Sequence, residues 1–202
     1  PWTAAVRDKR IESRQRVTDQ AIVDVVLAHA PEHVLDVGCG EGWLSRELSA
    51  RGIDVVGVDV VARSAGSGDF RVASYEDVAS GAFTIRVDAV VCDFSLLGRE
   101  CVDALIYAVP ALLNDAGALI IQTLHPVSAC GDAPYIDGWR AGSWLGFGAE
   151  FHNPAPWYFR TLESWQTLFA QAGFQSLQAH EPIHSHTQQP ASLIVVATNV
   201  TF

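Results

Sequence analysis

The chain has no methionine among its 202 residues, and it is poor in basic side chains, with 13 Lys and Arg against 23 Asp and Glu. The resulting net charge of −10 repels a phosphate backbone. Only the stretch from Arg7 to Arg16 is basic, so a nucleic-acid substrate is not expected. No apolar run approaches the roughly 18 residues of a membrane span and the opening residues lack a signal-peptide pattern, so no membrane partner is expected. Cys39, Cys92, Cys101 and Cys130 form no C-x-x-C pair, which points to reduced thiols in a cytoplasmic protein. Linkers and low-complexity tracts are also missing, and 49% hydrophobic content supports one substantial core. Residues 1–202 are therefore expected to form a single domain. A last shortage lies between two expected strands, where only the nine residues Val60 to Gly68 stand against the dozen or more of a parallel crossover. Together with the absent methionine, this leads us to expect that a segment has dropped out of the numbering, which an intact mass of 21.8 kDa would refute.

What the sequence does contain is concentrated in Val34-Leu35-Asp36-Val37-Gly38-Cys39-Gly40-Glu41-Gly42-Trp43-Leu44. Val34 to Val37 is a short apolar strand, and Leu44 with Leu48 opens helical spacing. The glycines between them remove Cβ atoms where a ligand approaches the backbone, and they tolerate positive φ. The helix start adds unpaired N–H groups and a positive dipole end. A dinucleotide fingerprint would need G-x-G-x-x-G, but the last position is Trp43 or Ser45 here. Asp54 to Asp59 is a second strand ending in an acid, and Asp59 can accept both hydroxyls of a ribose. A dehydrogenase places an acid similarly, so Asp59 alone does not discriminate.

The order acid-x-Gly-x-Gly-x-Gly resembles motif I of the class I S-adenosylmethionine (SAM)-dependent methyltransferases. Phe70-Arg71-Val72-Ala73-Ser74-Tyr75-Glu76-Asp77 resembles that family's strand 3 and adenine loop, and Val87 to Leu97 resembles its motif IV. The resemblance runs from about residue 20 to the C-terminus. It implies SAM as cofactor, S-adenosylhomocysteine as product, and a small-molecule methyl acceptor. Carried over by motif, the cofactor contacts are Asp36, Gly38, Cys39, Gly40, Gly42, Asp59, Val60, Ser74, Tyr75, Glu76, Asp93, Phe94 and Ser95. Asp36 then lies near the methionine ammonium, which agrees with electrostatics, since a carboxylate attracts that group and repels a pyrophosphate.

Arg10 to Ala30 reads as an amphipathic helix with Val17, Ala21, Val25 and Ala28 on its apolar face, ended by Pro31. Strands follow near 33–37, 53–58, 70–73, 87–92 and 117–123, with helices at about 42–50 and 100–114. Asn114 to Gly117 reads as the turn into the fifth strand. Glu163 to Ala172 is a helix stopped by Gly173, after which Phe174 to Glu181 and Ser192 to Asn199 can only pair antiparallel. The fold class is α/β, a seven-stranded Rossmann-like sheet, mostly parallel with an antiparallel last strand and helices on both faces.

Asp93-Phe94-Ser95-Leu96 lacks the prolines of the Asn/Asp-Pro-Pro-Tyr/Phe form that accompanies methylation of base amino groups and amides, which favours an oxygen or carbon acceptor. His125, just past the fifth strand, is the candidate general base or substrate orienter. The insertion from about 126 to 160 is rich in aromatic residues and reads as a lid. Within it Trp139, Arg140, Trp157, Tyr158 and Arg160 are the candidate substrate contacts, while Trp144, Phe147 and Phe151 add to the aromatic surface. Pro154 to Thr161 resembles a tract of bacterial small-molecule methyltransferases. His180, His184 and His186 lack a fourth ligand with suitable spacing, and no metal is expected. Two other readings remain open, an NAD(P)-dependent oxidoreductase and a non-catalytic SAM-binding module.

Overall fold

The computed structural model describes residues 11, 14–62, 68–81, 83–143 and 153–199. A π-helical turn, Arg14–Thr18, runs into helix α1, Asp19–Ala28. There follow β1 (His33–Val37), α2 (Trp43–Ser49), β2 (Asp54–Asp59), β3 (Asp69–Val72) and α3 (Tyr75–Ala79). The second half holds β4 (Val87–Asp93), α4 (Glu100–Leu112), β5 (Leu113–Thr123), α5 (Pro126–Cys130), β6 (Gly138–Arg140), β7 (Trp157–Phe159), α6 (Leu162–Gln171), β8 (Ser176–His180) and β9 (Leu193–Thr198).

Seven strands form one sheet in the order β3-β2-β1-β4-β5-β9-β8, with β9 antiparallel to both neighbours and the other pairings parallel. This is the expected sheet. Its central strands are apolar without interruption because both faces are covered. Successive residues serve opposite cores. Leu35, Val90, Leu119 and Val195 pack towards α4 and α6, whereas Val34, Val91, Ile120 and Val196 pack towards α1 and α2.

Several elements differ from the expected ones. On α1 the buried side chains are Ile22, Val23 and Val26, so the face turned inward is rotated from the expected stripe. Ala21 and Val25 remain only at its margin. Ser74 to Asp77 enters a short helix, α3, closed by a capping box in which the Ser74 hydroxyl accepts from the Asp77 N–H and the Asp77 carboxylate accepts from the Ser74 N–H. The expected turn at Asn114 to Gly117 is a bulge inside β5, because Val87 pairs with Leu113 but Ala89 with Ala118. β2 and β3 pair in parallel across a connection in which residues 63–67 lie outside the described ones. The insertion contains α5 and the antiparallel pair β6–β7. Trp144, Phe147 and Phe151 lie outside the described residues. None of the four cysteines forms a disulfide. Among the described residues no helix is long and apolar enough to cross a membrane.

Asp88 on β4 ties three elements at the end of the sheet opposite the ligand edge. Its carboxylate accepts from the Glu32 and His33 backbone N–H groups at 3.0 and 2.9 Å and from the Asn114 amide at 2.7 Å. Partial burial pushes its pKa up, but the donors from Asn114, His33 and Glu32 outweigh this and leave it below the ordinary value. A depressed carboxyl stabilises the fold fully above its unfolded value of about 3.9, and that contribution is lost as the pH falls through the folded value. Urea unfolding of Asp88→Asn between about pH 2 and 6 is expected to show lower stability at pH 6 and a shallower loss below pH 4 than the parent chain. Parallel curves for the two proteins would contradict this role.

Candidate active site

The loop from Gly38 to Gly42 is fixed to the end of β2. The Gly38 and Cys39 N–H groups both donate to the Val58 carbonyl, at 2.8 and 3.0 Å, and the Gly40 N–H donates to Asp59 Oδ2 at 2.9 Å. Gly38, Gly40 and Gly42 have φ of +72°, +55° and +79°, a region in which an L side chain is strained. Gly38 has a second reason to be glycine, because a Cβ there would sit 2.4 Å from the Ser95 Cβ and 2.9 Å from the Tyr75 hydroxyl.

Above this loop lies a cavity of about 260 Å³. Of the sequence candidates it gathers Asp36, Gly38, Cys39, Gly40, Asp59, Tyr75, Asp93, Phe94 and Ser95. Asp36 is 1% exposed and takes a 2.6 Å hydrogen bond from the Ser45 hydroxyl, which joins the end of β1 to the first turn of α2. Asp59 holds the loop through Gly40 and also accepts from the Val61 N–H at 2.9 Å. Tyr75 donates to the Ser95 carbonyl at 2.7 Å, and Ser95 donates to the Val37 carbonyl at 2.9 Å, so the β4 loop is bound to the β1 loop. Burial pushes the Tyr75 phenol well above its ordinary pKa and keeps it a donor. Gly42 begins α2. Val60, Ser74 and Glu76 are not among the residues lining the cavity; Val60 is 65% exposed, Glu76 is exposed, and Ser74 is engaged in capping α3.

Arg14 carries no motif signal, yet it lines the same cavity with Trp43 and Leu97. Its guanidinium meets Asp93 Oδ2 at 2.8 Å and Asp19 at 3.0 Å, and lies over the rings of Trp43 and Phe94 at 5.1 and 5.4 Å. Burial pushes the Asp93 carboxyl up, against the opposing pull of Arg14 and the Trp43 indole. Phe94 adopts φ +50° to present its ring here, while its N–H is secured by the Gln122 carbonyl at 2.8 Å. A cation stacked on aromatic rings looks in sequence like any amphipathic-helix arginine, and only the fold reveals it.

Across the β4 loop from the main cavity lies a narrow cleft lined by Leu96, Thr123, Leu124, Trp157 and Tyr158. The Tyr158 N–H donates to the Leu97 carbonyl at 2.8 Å, so the insertion rests on the loop that separates the two spaces. Trp157 and Tyr158 therefore come together with the β4 loop. Trp139 is 56% exposed and packs edge-on to Tyr158 at 5.6 Å. Arg160 also lines the cleft, and both arginines are hydrogen-bonded within the protein. Arg160, 5% exposed, donates to Asp103 at 2.6 Å and to the Arg99 carbonyl at 3.1 Å, locking β7 to α4. Arg140 donates to the Pro134 and Ile136 carbonyls at 2.7 and 3.1 Å. His125, on the chain just after the cleft's Thr123 and Leu124, has Nε2 3.0 Å from Glu181 Oε1.

His184 and His186 stack edge-on, with His186 Nε2 3.2 Å from the Arg16 guanidinium. Among the described residues no three His, Cys, Asp or Glu side chains are placed to hold a metal ion.

The family model described as a methyltransferase domain matches residues 11–179. A ubiquinone biosynthesis O-methyltransferase of Xanthomonas axonopodis pv. citri is 38% identical over 121 residues, covering 53% of this chain and 49% of that protein. The enzyme of the same description from Dechloromonas aromatica is 31% identical over 117 residues, covering 51% and 49%. The chain thus spans about half the length of these relatives. Among solved structures, the Burkholderia thailandensis 1,6-didemethyltoxoflavin-N1-methyltransferase superposes with a TM-score of 0.70 at 16% identity, covering 99% of this chain and 86% of that one. An S-adenosylmethionine-dependent methyltransferase from Mesorhizobium loti gives a TM-score of 0.59 at 20% identity, covering 82% and 90%. These two likenesses speak for the fold.

The Arg14–Asp93 pair is nearly dry, with side-chain exposures of 8% and 6%. Removing one partner of such a pair typically costs roughly 3–5 kcal/mol. Arg14→Met is expected to lose about that much in urea unfolding, and adding Asp93→Leu to recover most of it. A single variant with parental stability would show that the pair is not coupled.

Proposed function

The chain belongs to the methyltransferase-domain family, and from that premise we propose that it transfers a methyl group from SAM to a hydroxyl oxygen of a small apolar or aromatic acceptor. One observation carries the reading: the 260 Å³ cavity over the glycine loop combines the carboxylates of Asp36 and Asp59 with the guanidinium of Arg14. SAM presents an ammonium, a ribose diol and a carboxylate, the complementary set, and a dinucleotide pyrophosphate would meet Asp36 and Asp93. When bound, SAM supplies an electrophilic methyl group on a sulfonium. Asp36 would hold its ammonium, Arg14 its carboxylate and Asp59 its ribose. Gly38, Cys39, Gly40 and Gly42, whose own N–H groups are bonded within the protein, would allow close approach to the backbone, Phe94 and Ser95 would border the reacting end, and Tyr75 would back the purine side. Val60, Ser74 and Glu76 would border its outer edge.

The protein's own part is alignment and exclusion of water, which in-line displacement rewards most. Trp157, Tyr158 and Arg160, which border the narrow cleft beside the β4 loop, and Trp139, edge-on to Tyr158, would contact the acceptor once the cleft widens to admit it, with Arg140 bracing the insertion. His125 is assigned the acceptor hydroxyl, which it orients or deprotonates. An oxygen acceptor is supported by the O-methyltransferase description of the relatives and by the proline-free Asp93-Phe94-Ser95-Leu96. The acidic chain supports a small molecule over nucleic acid, and four cysteines without a disulfide support a reducing, cytoplasmic setting.

Thermal-shift titration with S-adenosylhomocysteine and with NADH tests this directly. At 100 times its Kd a ligand adds about 2.7 kcal/mol, a rise of roughly 5–10 °C for a domain of this size. S-adenosylhomocysteine is expected to give that rise and NADH none. The reverse pattern would replace methyl transfer with a redox function.

A further inference from the structure

His125 is a polar side chain buried to all but 9% at the ligand edge of the sheet, and the cofactor cavity does not use it. Its partner comes from far along the chain. β8 runs in the same direction as β5, with β9 antiparallel between them, so both strands release their next residues at the same edge. His125 follows β5 and Glu181 follows β8 immediately, which brings the imidazole Nε2 and the Glu181 carboxylate to 3.0 Å across 56 positions of sequence.

A carboxylate only accepts hydrogen bonds, so the shared proton sits on Nε2. The imidazole is then held in the tautomer whose Nδ1 bears the lone pair. That Nδ1 is buried and, among the described residues, has no hydrogen-bond partner. A buried acceptor left open costs stability, and a purely structural tether between His125 and Glu181 gives no reason to keep one. The neighbouring residues Thr123, Leu124 and Pro126 line the cleft that also holds Trp157 and Tyr158.

We propose that Glu181 is a positioning residue that fixes His125 with Nδ1 free to take the proton of the acceptor's hydroxyl group. This rests on the methyl-transfer reading and specifies its acceptor as a hydroxylated molecule. In the step, the hydroxyl O–H bond breaks and its proton passes to Nδ1. The oxygen electron pair forms the new O–CH3 bond, and the methyl–sulfur bond breaks with its pair left on the neutral thioether. The imidazolium, still bonded to Glu181 through Nε2–H, later releases the proton to water. Glu181 thereby also stabilises the charge that His125 acquires.

Long-range proton–nitrogen NMR of the free protein at about pH 8.5, above the ordinary imidazole range near 6.5, reads the tautomer without any ligand. His125 is expected to show a protonated Nε2 and an unprotonated Nδ1. Glu181→Ala is expected to lose this fixed pattern and average the two tautomers. Glu181→Gln, whose amide oxygen still accepts from Nε2–H, is expected to retain it. A protonated Nδ1 in the parent chain, or an unchanged pattern in Glu181→Ala, overturns the proposal. Calorimetry with S-adenosylhomocysteine separates the two levels of the argument. Affinity in Glu181→Ala is expected within twofold of the parent, and a larger loss would make Glu181 part of the framework instead. A parent chain that fails to bind S-adenosylhomocysteine overturns the methyl-transfer reading, and with it the role given to the Nδ1 lone pair.

Discussion

The site depends on the attachment of the first glycine loop to the end of β2. Two N–H groups, from Gly38 and Cys39, converge on the Val58 carbonyl, and a third, from Gly40, reaches the Asp59 carboxylate. These bonds hold the loop down so that the space above it stays open, and they start α2 at Gly42. Ser45 in that helix then reaches back to Asp36. The β4 loop closes on the same point, with Ser95 bonded to the Val37 carbonyl and Tyr75 bonded to Ser95. A side chain at Gly38 would strike both Ser95 and Tyr75, so one position without a Cβ lets three loops meet.

Around that point the carboxyl edge of the sheet is furnished from distant segments. The π-helical turn places Arg14 over the cavity, between Asp93 and the rings of Trp43 and Phe94. Thr18, at the end of the same turn, accepts from the Gln122 amide at 3.2 Å, and Gln122 also bonds Ser192 at 2.8 Å. The π-helical turn is thereby anchored to β5 and to the approach to β9. The insertion is held by buried Arg160, which donates to the partly exposed Asp103 and lies over Tyr158 and Trp165 at 4.7 and 5.3 Å. Between the main cavity and the narrow cleft stands the β4 loop, whose Leu97 lines the first and Leu96 the second.

Local pattern made the sheet legible. Apolar runs such as Val34 to Val37 and Val87 to Cys92 mark strands buried on both faces, and the short link between the last two strands dictates their antiparallel pairing. The glycine loop was legible for the same reason, since its chemistry is written in consecutive residues. What escaped depends on partners remote in sequence. Arg14 is 79 positions from Asp93, and His125 is 56 from Glu181. Arg160 also has a remote partner: beside a run of aromatics it reads as a ligand-binding arginine, and the fold sets it at the cleft with its guanidinium bonded to Asp103. The inward face of α1 was misplaced because adjacent apolar residues on a short helix leave the buried stripe undecided until α2 and the sheet select Ile22, Val23 and Val26.

The most direct test of this account is the Kd of S-adenosylhomocysteine for Gly38→Ala, measured by calorimetry beside the parent chain with circular dichroism to verify folding. A methyl group at φ +72°, 2.4 Å from the Ser95 Cβ, must displace the loops that frame the cavity. Affinity is expected to fall at least about a hundredfold, a change of roughly 2.8 kcal/mol, while the sheet remains folded. Parental affinity in a folded Gly38→Ala protein would contradict the claim that this loop junction builds the cofactor site.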